Sequence, residues 1–189
     1  MYGLHLHEKD ARGICMTSET THKFILDATA GYRMMWFNKQ HPNTIYIDEK
    51  PECEPDYVAD YRNLKEFVDE TFRLIVFDPP HLVRKNIVNN QIMISKFGAL
   101  NPDTWQSDIK KAFTELWRVL KPYGILIFKW SNSSIKSNQL LKLAPTTPLF
   151  YQISTSSARQ YKNGGESNRK ADQVKTLWFC FMKIPEGEL

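Results

Sequence analysis

No apolar run in this chain approaches the ~20 residues needed to cross a bilayer, so no membrane span and no membrane partner are expected. Cysteine is scarce: Cys15, Cys53 and Cys180 form an odd, scattered set with no Cys-x-x-Cys spacing. That argues against a disulfide framework or a zinc site. His5 and His7 alternate as they would on one face of an extended segment, but no third ligand accompanies them, and no metal is expected. Gly-x-Gly-x-x-Gly and the P-loop are both missing, so a dinucleotide fits poorly. There is no internal repeat and no low-complexity tract. Residues 1–21 mix His, Glu, Lys, Asp and Arg with apolar residues, which is not the pattern of a secretory signal. A cytoplasmic location is expected.

What remains is the material of one ordinary domain. A chain of 189 residues can bury a core without disulfides. Its 42% hydrophobic and 24% charged residues are those of a globular protein. The net charge of +4 permits nucleic-acid binding without demanding it. The pattern divides into an N-terminal segment, 1–23, and one domain, 24–189.

Strand signals come first. Phe24–Ala28 reads as a buried strand running through Thr29-Ala30-Gly31 into a helix over Met34-Met35-Trp36-Phe37. Thr44–Asp48 and Tyr57–Asp60 read as the second and third strands, with a brief helix expected within Leu64–Asp69. Leu74–Asp78 is the fourth, followed by a long connection from His81 to Pro102, a length usually reserved for function or mobility. From Asp103, the predicted cap, Ile109, Ala112, Phe113, Leu116, Val119 and Leu120 recur at helical spacing, with Pro122 and Gly124 as the stop. Gly124–Trp130 reads as a strand, Ser134–Leu143 as a helix, and Leu149–Ile153 and Leu177–Met182 as the last two strands. Alternation of strands and helices predicts an α/β fold with a single doubly wound, mostly parallel sheet. The last two strands, with no helix between them, suggest an antiparallel edge hairpin.

Four of these strands end on an acid: Asp27, Asp48, Asp60 and Asp78. A lone acid at a strand end is usually only solvated, but four on consecutive strands form one rim. Ligands of open α/β sheets bind at that rim, and the acid after the second strand is where such folds hold ribose hydroxyls. The fourth acid sits in Ile75-Val76-Phe77-Asp78-Pro79-Pro80-His81. Proline fixes φ and donates no N–H, so the pair ends ladder pairing and locks the backbone behind Asp78. A rigid carboxylate and the Pro79 carbonyl make two acceptors suited to a planar NH₂ group.

Asp-Pro-Pro-His resembles the (Asp/Asn/Ser)-Pro-Pro-(aromatic) motif of amino-methyltransferases, within the class I S-adenosylmethionine-dependent methyltransferases of Rossmann-like fold. His81 stands where Tyr, Phe or Trp is commoner. The phrase Arg118-Val119-Leu120-Lys121-Pro122-Tyr123-Gly124 is similar to a structural signature of the same superfamily. The resemblance covers about Phe24 to Lys183. It implies S-adenosyl-L-methionine as cofactor, with Asp27, Ala28 and Gly31 at its methionine part, Asp48 at the ribose and Asp60 at the adenine amine. Thr29 departs from the usual glycine of that loop. The resemblance also implies catalysis by Asp78 and Pro79 on a target amine, with His81 stacked on a flipped base.

The implied activity is methylation of an exocyclic nucleobase amine, adenine in DNA foremost. RNA bases, a protein glutamine amide, or an inactive nucleic-acid-binding module remain as alternatives. Trp130 reads either as a second stacking surface or as packing. The basic loop Ser154–Lys175, with Arg169 and Lys170, suits a phosphate backbone or is a solvated hairpin loop. Little of the chain is left for target recognition, so a protein partner could supply it.

Overall fold

The structure, a computed structural model, describes residues 23–83, 98–155 and 175–188. Seven strands lie in one sheet: β1 (Ile25–Asp27), β2 (Thr44–Asp48), β3 (Tyr57–Val58), β4 (Phe72–Phe77), β5 (Leu120–Ser131), β6 (Phe150–Thr155) and β7 (Lys175–Met182). Their order is β3-β2-β1-β4-β5-β7-β6. The first five are parallel, while β7 runs antiparallel to β5 and β6. This is the expected sheet with its edge hairpin, and its order reverses between β1 and β4, where such sheets open a crevice.

Two helices are described, α1 (Trp105–Val119) and α2 (Ser137–Leu141). The apolar stripe of α1, Ile109, Ala112, Phe113 and Leu116, is fully buried on one face of the sheet. Phe113 meets the edges of Phe77, Phe128 and Phe181 there. Alternation does the rest: Leu126, Phe128 and Trp130 face that core, while Ile127 and Lys129 point to the other side and stay half-buried.

Several local expectations fail. The segment after Gly31 forms turns, with Met34 and Phe37 exposed, so no apolar stripe exists to dock a helix. Residues 64–69 also form turns, held by Arg118, which donates to the Leu64 and Phe67 carbonyls. Asp103 is not the cap. Thr104 holds that position, and its hydroxyl donates to Asp108. The helix ends at Val119, ahead of Pro122, because Leu120 already pairs with Phe72 in the sheet. Lys183 Nζ donates to the Trp117 and Leu120 carbonyls at this end, where a cation suits the helix dipole. Among the described residues no helix is long and apolar enough to cross a membrane.

Candidate active site

Three of the four acids, Asp27, Asp48 and Asp78, lie together. Asp27 feels the charges of both Asp78 and Asp48, which requires that the three be close. Their side chains are employed very differently.

Asp27 is 1% exposed. Its Oδ1 accepts the Thr29 N–H at 3.1 Å and its Oδ2 accepts Trp36 Nε1–H at 2.6 Å. Burial, reinforced by the neighbouring Asp78 and Asp48 and opposed by these hydrogen bonds, raises its pKa to about 6. This buried carboxylate fixes the loop through its bonds to Thr29 and Trp36. Ala28 is buried, and its N–H donates to the Val76 carbonyl. Gly31 has a φ of +48°, and a Cβ added there would meet nothing within 4 Å. Its N–H donates to Asp48 Oδ2 at 2.8 Å, while Asp48 Oδ1 accepts the Lys50 N–H at 2.9 Å. Asp60, two residues past β3 and so not at the strand end expected for it, accepts from the backbone and side chain of Arg62, whose guanidinium also reaches Glu49 at 2.7 Å.

Thr29 turns out to be an asset. Two prolines follow Asp78, so the Asp78 N–H is the last donor of that strand, and Thr29 Oγ1 accepts it at 2.8 Å. The hydroxyl thus ties the β1 loop to the β4 end, a role that only the fold reveals.

Asp78 is held by side chains from both directions. Lys129, from the end of β5, donates to Oδ2 at 2.6 Å. His81 Nε2 lies 2.9 Å from Oδ1, but the contact is bent, leaving Oδ1 a buried atom with no hydrogen-bond partner among the described residues. Among those residues His81 Nδ1 is likewise buried and unpartnered. Burial alone would raise the Asp78 pKa; His81 and the Lys129 ammonium outweigh it and hold the carboxyl below its usual range. Pro79 is buried behind it. The His81 ring stands edge-on against Trp130 at 4.9 Å.

Of the two readings open for Trp130, the structure shows packing. It is fully buried, donates Nε1–H to the Ile135 carbonyl and stacks toward Phe128, so it packs the core and supports His81. Lys129, by contrast, emerges as a member of the cluster, with Trp178 beneath its ammonium at 5.4 Å. A hollow of about 320 Å³ opens beside Trp178, lined also by Ile127, Phe150 and Gln152. Arg169 and Lys170 lie outside the described residues.

No protein-family model matches the sequence, and no curated protein is significantly similar to it. Solved structures are similar. A methyltransferase dependent on S-adenosylmethionine from Methanosarcina mazei superposes with a TM-score of 0.54 at 12% identity, over 86% of this chain and 92% of that one. TrmN from Thermus thermophilus gives 0.54 at 14%, over 85% of this chain and 43% of its own. The 1,6-didemethyltoxoflavin-N1-methyltransferase of Burkholderia thailandensis, solved with its substrate and S-adenosylhomocysteine, gives 0.52 at 13%, over 85% and 71%. The fold is that of the class I S-adenosylmethionine-dependent methyltransferases.

That cofactor can be tested against the residues present. It carries ribose hydroxyls, amines, a cationic sulfur and a single carboxylate, and no phosphate. An acceptor-rich, anionic rim suits the hydroxyls, amines and sulfonium and would repel a phosphate. Asp48 and Asp60 are only partly buried, and each carboxylate has lone pairs beyond those its own backbone uses. Open space at the Gly31 Cβ position leaves the loop backbone approachable. The donor and acceptor set fits.

Proposed function

We propose that this chain is an enzyme transferring a methyl group from S-adenosylmethionine to an exocyclic amine of a nucleobase, with the 6-amino group of adenine in DNA as the first candidate. The observation that carries this reading is Asp78, fixed by Pro79 and Pro80 at the end of its strand on the anionic rim, with one buried carboxylate oxygen that has no hydrogen-bond partner among the described residues. In this reading Asp48 receives the ribose hydroxyls, Asp60 the adenine amine, and Gly31 the methionine part, while Asp27 positions the loop. When bound, the cofactor supplies an activated methyl on a sulfonium.

An exocyclic amine is a poor nucleophile because its lone pair is delocalised into the ring. Asp78 and the Pro79 carbonyl favour the tetrahedral nitrogen on which positive charge develops, stabilising the transition state more than the ground state. Alignment of nitrogen with the methyl carbon is the remaining task. A base in duplex DNA has to be flipped out to reach such a site. RNA bases present the same NH₂ group and take second place.

The test is incubation with radiolabelled S-adenosylmethionine and, separately, DNA, RNA and protein, followed by identification of the labelled nucleoside or residue. The expected product is N6-methyladenine in DNA. Label confined to protein would overturn the nucleobase reading, and NAD binding in preference to S-adenosylmethionine would overturn the whole of it. If Arg169 and Lys170 meet a phosphate backbone, DNA affinity falls steeply with salt, and replacing both with Ala lowers the salt slope by about two without changing cofactor affinity.

A further inference from the structure

The Asp78–His81–Lys129 cluster does more than the motif requires. A side chain that only stacks on a base needs neither ring nitrogen held. Here His81 Nε2 sits 2.9 Å from the Asp78 carboxylate, and the ring meets Trp130 in a T-shaped contact at 4.9 Å. Asp78 in turn is neutralised by Lys129 at 2.6 Å. The carboxylate is thus poorly placed to act as a base itself: protonating it would break an ion pair on one side and a charge contact on the other.

The imidazole is better placed. A proton on Nε2, facing the carboxylate, leaves a lone pair on Nδ1. That atom is buried and has no hydrogen-bond partner among the described residues, and buried polar atoms without partners are rare enough to call for a role. A carboxylate 2.9 Å from one ring nitrogen, with the other unpartnered among the described residues, is an arrangement suited to an imidazole general base.

We propose that His81 is the proton acceptor of the reaction, a catalytic base held by Asp78, and not a stacking platform. This rests on the methyltransferase reading above and assigns it one further catalytic group. The target nitrogen's lone pair forms the new bond to the methyl carbon as the carbon–sulfur bond breaks, its electron pair staying on sulfur as a neutral thioether. The nitrogen, now cationic, gives one proton to His81 Nδ1, and the imidazolium so formed lies against the Asp78 carboxylate. The products are the methylamine, S-adenosylhomocysteine and protonated His81. Asp78 and Lys129 are the charged groups that touch the ring's holder, with Asp27 the next acid along the rim.

Two variants separate the roles. His81→Phe keeps a flat ring and removes both nitrogens; His81→Gln removes the base and keeps a polar group. With adenine-containing DNA as probe, both should lose about 10²–10⁴-fold in kcat, with S-adenosylhomocysteine affinity by calorimetry unchanged. Full turnover in His81→Phe would overturn the proposal in favour of stacking. A second readout needs no methyl acceptor: ¹⁵N spectra of the imidazole in the S-adenosylhomocysteine complex should show the neutral Nε2–H tautomer, lost in Asp78→Asn. An Nδ1–H tautomer would overturn the proposal even in an active enzyme. Should the wild type methylate no nucleic acid, the nucleobase reading fails, and the tautomer still decides the role of His81.

Discussion

The rim has two sides that use the same side chain in opposite ways. Along β1 and β2, Asp27 and Asp48 spend their oxygens on nearby groups, chiefly backbone N–H donors of the adjoining loops. At β4 and β5, Asp78 is held by Lys129 and His81, and one of its buried oxygens has no hydrogen-bond partner among the described residues. Acids tied to backbone shape a pocket, because their bonds last as long as the loop does. An acid tied to side chains can exchange partners when a ligand arrives. The first side is therefore suited to holding a cofactor, and the second to acting on a changing charge.

The sharpest way to break that comparison is at Asp78. Asp78→Ala should reduce transfer by about 10²–10³-fold or more, as for other preorganised transition-state groups. Affinity for S-adenosylmethionine should stay nearly intact, since the loss falls on the chemical step. Single-turnover kinetics beside calorimetry would check it. Equal losses in both measurements would mean that the two sides are not distinct.

The next effect separates Asp27 from Asp78 by pH. Asp27 binds its proton more tightly in the folded protein, so folding is favoured below the unfolded value of 3.8, and that contribution is lost as pH rises through about 6. The rise corresponds to about 3 kcal/mol. Asp78 is shifted the other way, so its contribution is present above the ordinary carboxylate range and is lost as pH falls through its lowered value. Urea denaturation across this range should show stability declining toward pH 6 in the wild type, and Asp27→Asn should flatten that decline. A wild-type curve that rises through the same interval would show that Asp27 is not the buried, proton-favouring group described.

Much of this was legible in the sequence, for a physical reason. Strands such as Thr44–Asp48 are apolar runs ended by acids and prolines, so both the sheet and the acid rim could be read from neighbouring residues. Turns over 64–69 escaped because Leu64 and Phe67 are buried three residues apart, as on a helix, while Arg118 supplies the contacts that hold the segment. Lys129 on Asp78 and Thr29 under the Asp78 N–H join residues about fifty positions apart. No local pattern encodes such pairs. Trp130 was ambiguous for a related reason: alternation along β5 puts it in the core, but its sequence position at the strand end suits a cleft equally well.

The smallest effect tests the cofactor side alone. Asp48 holds the Gly31 and Lys50 N–H groups and, in the proposed reading, the ribose hydroxyls as well. Asp48→Ala should weaken S-adenosylmethionine by roughly 1–3 kcal/mol through lost hydrogen bonds. Part of that loss would come from the loop, since Gly31 sits at φ +48° and loses the acceptor that fixes it. Asp48→Asn distinguishes the two contributions, because an amide oxygen can still accept one backbone N–H but its NH₂ replaces the second acceptor. Calorimetry should therefore rank wild type above Asn and Asn above Ala, while kcat at saturating cofactor stays close to wild type in both. Undiminished affinity in Asp48→Ala and Asp60→Ala together would remove the cofactor assignment. A large fall in kcat would show instead that the backbone-tied side of the rim takes part in the chemistry.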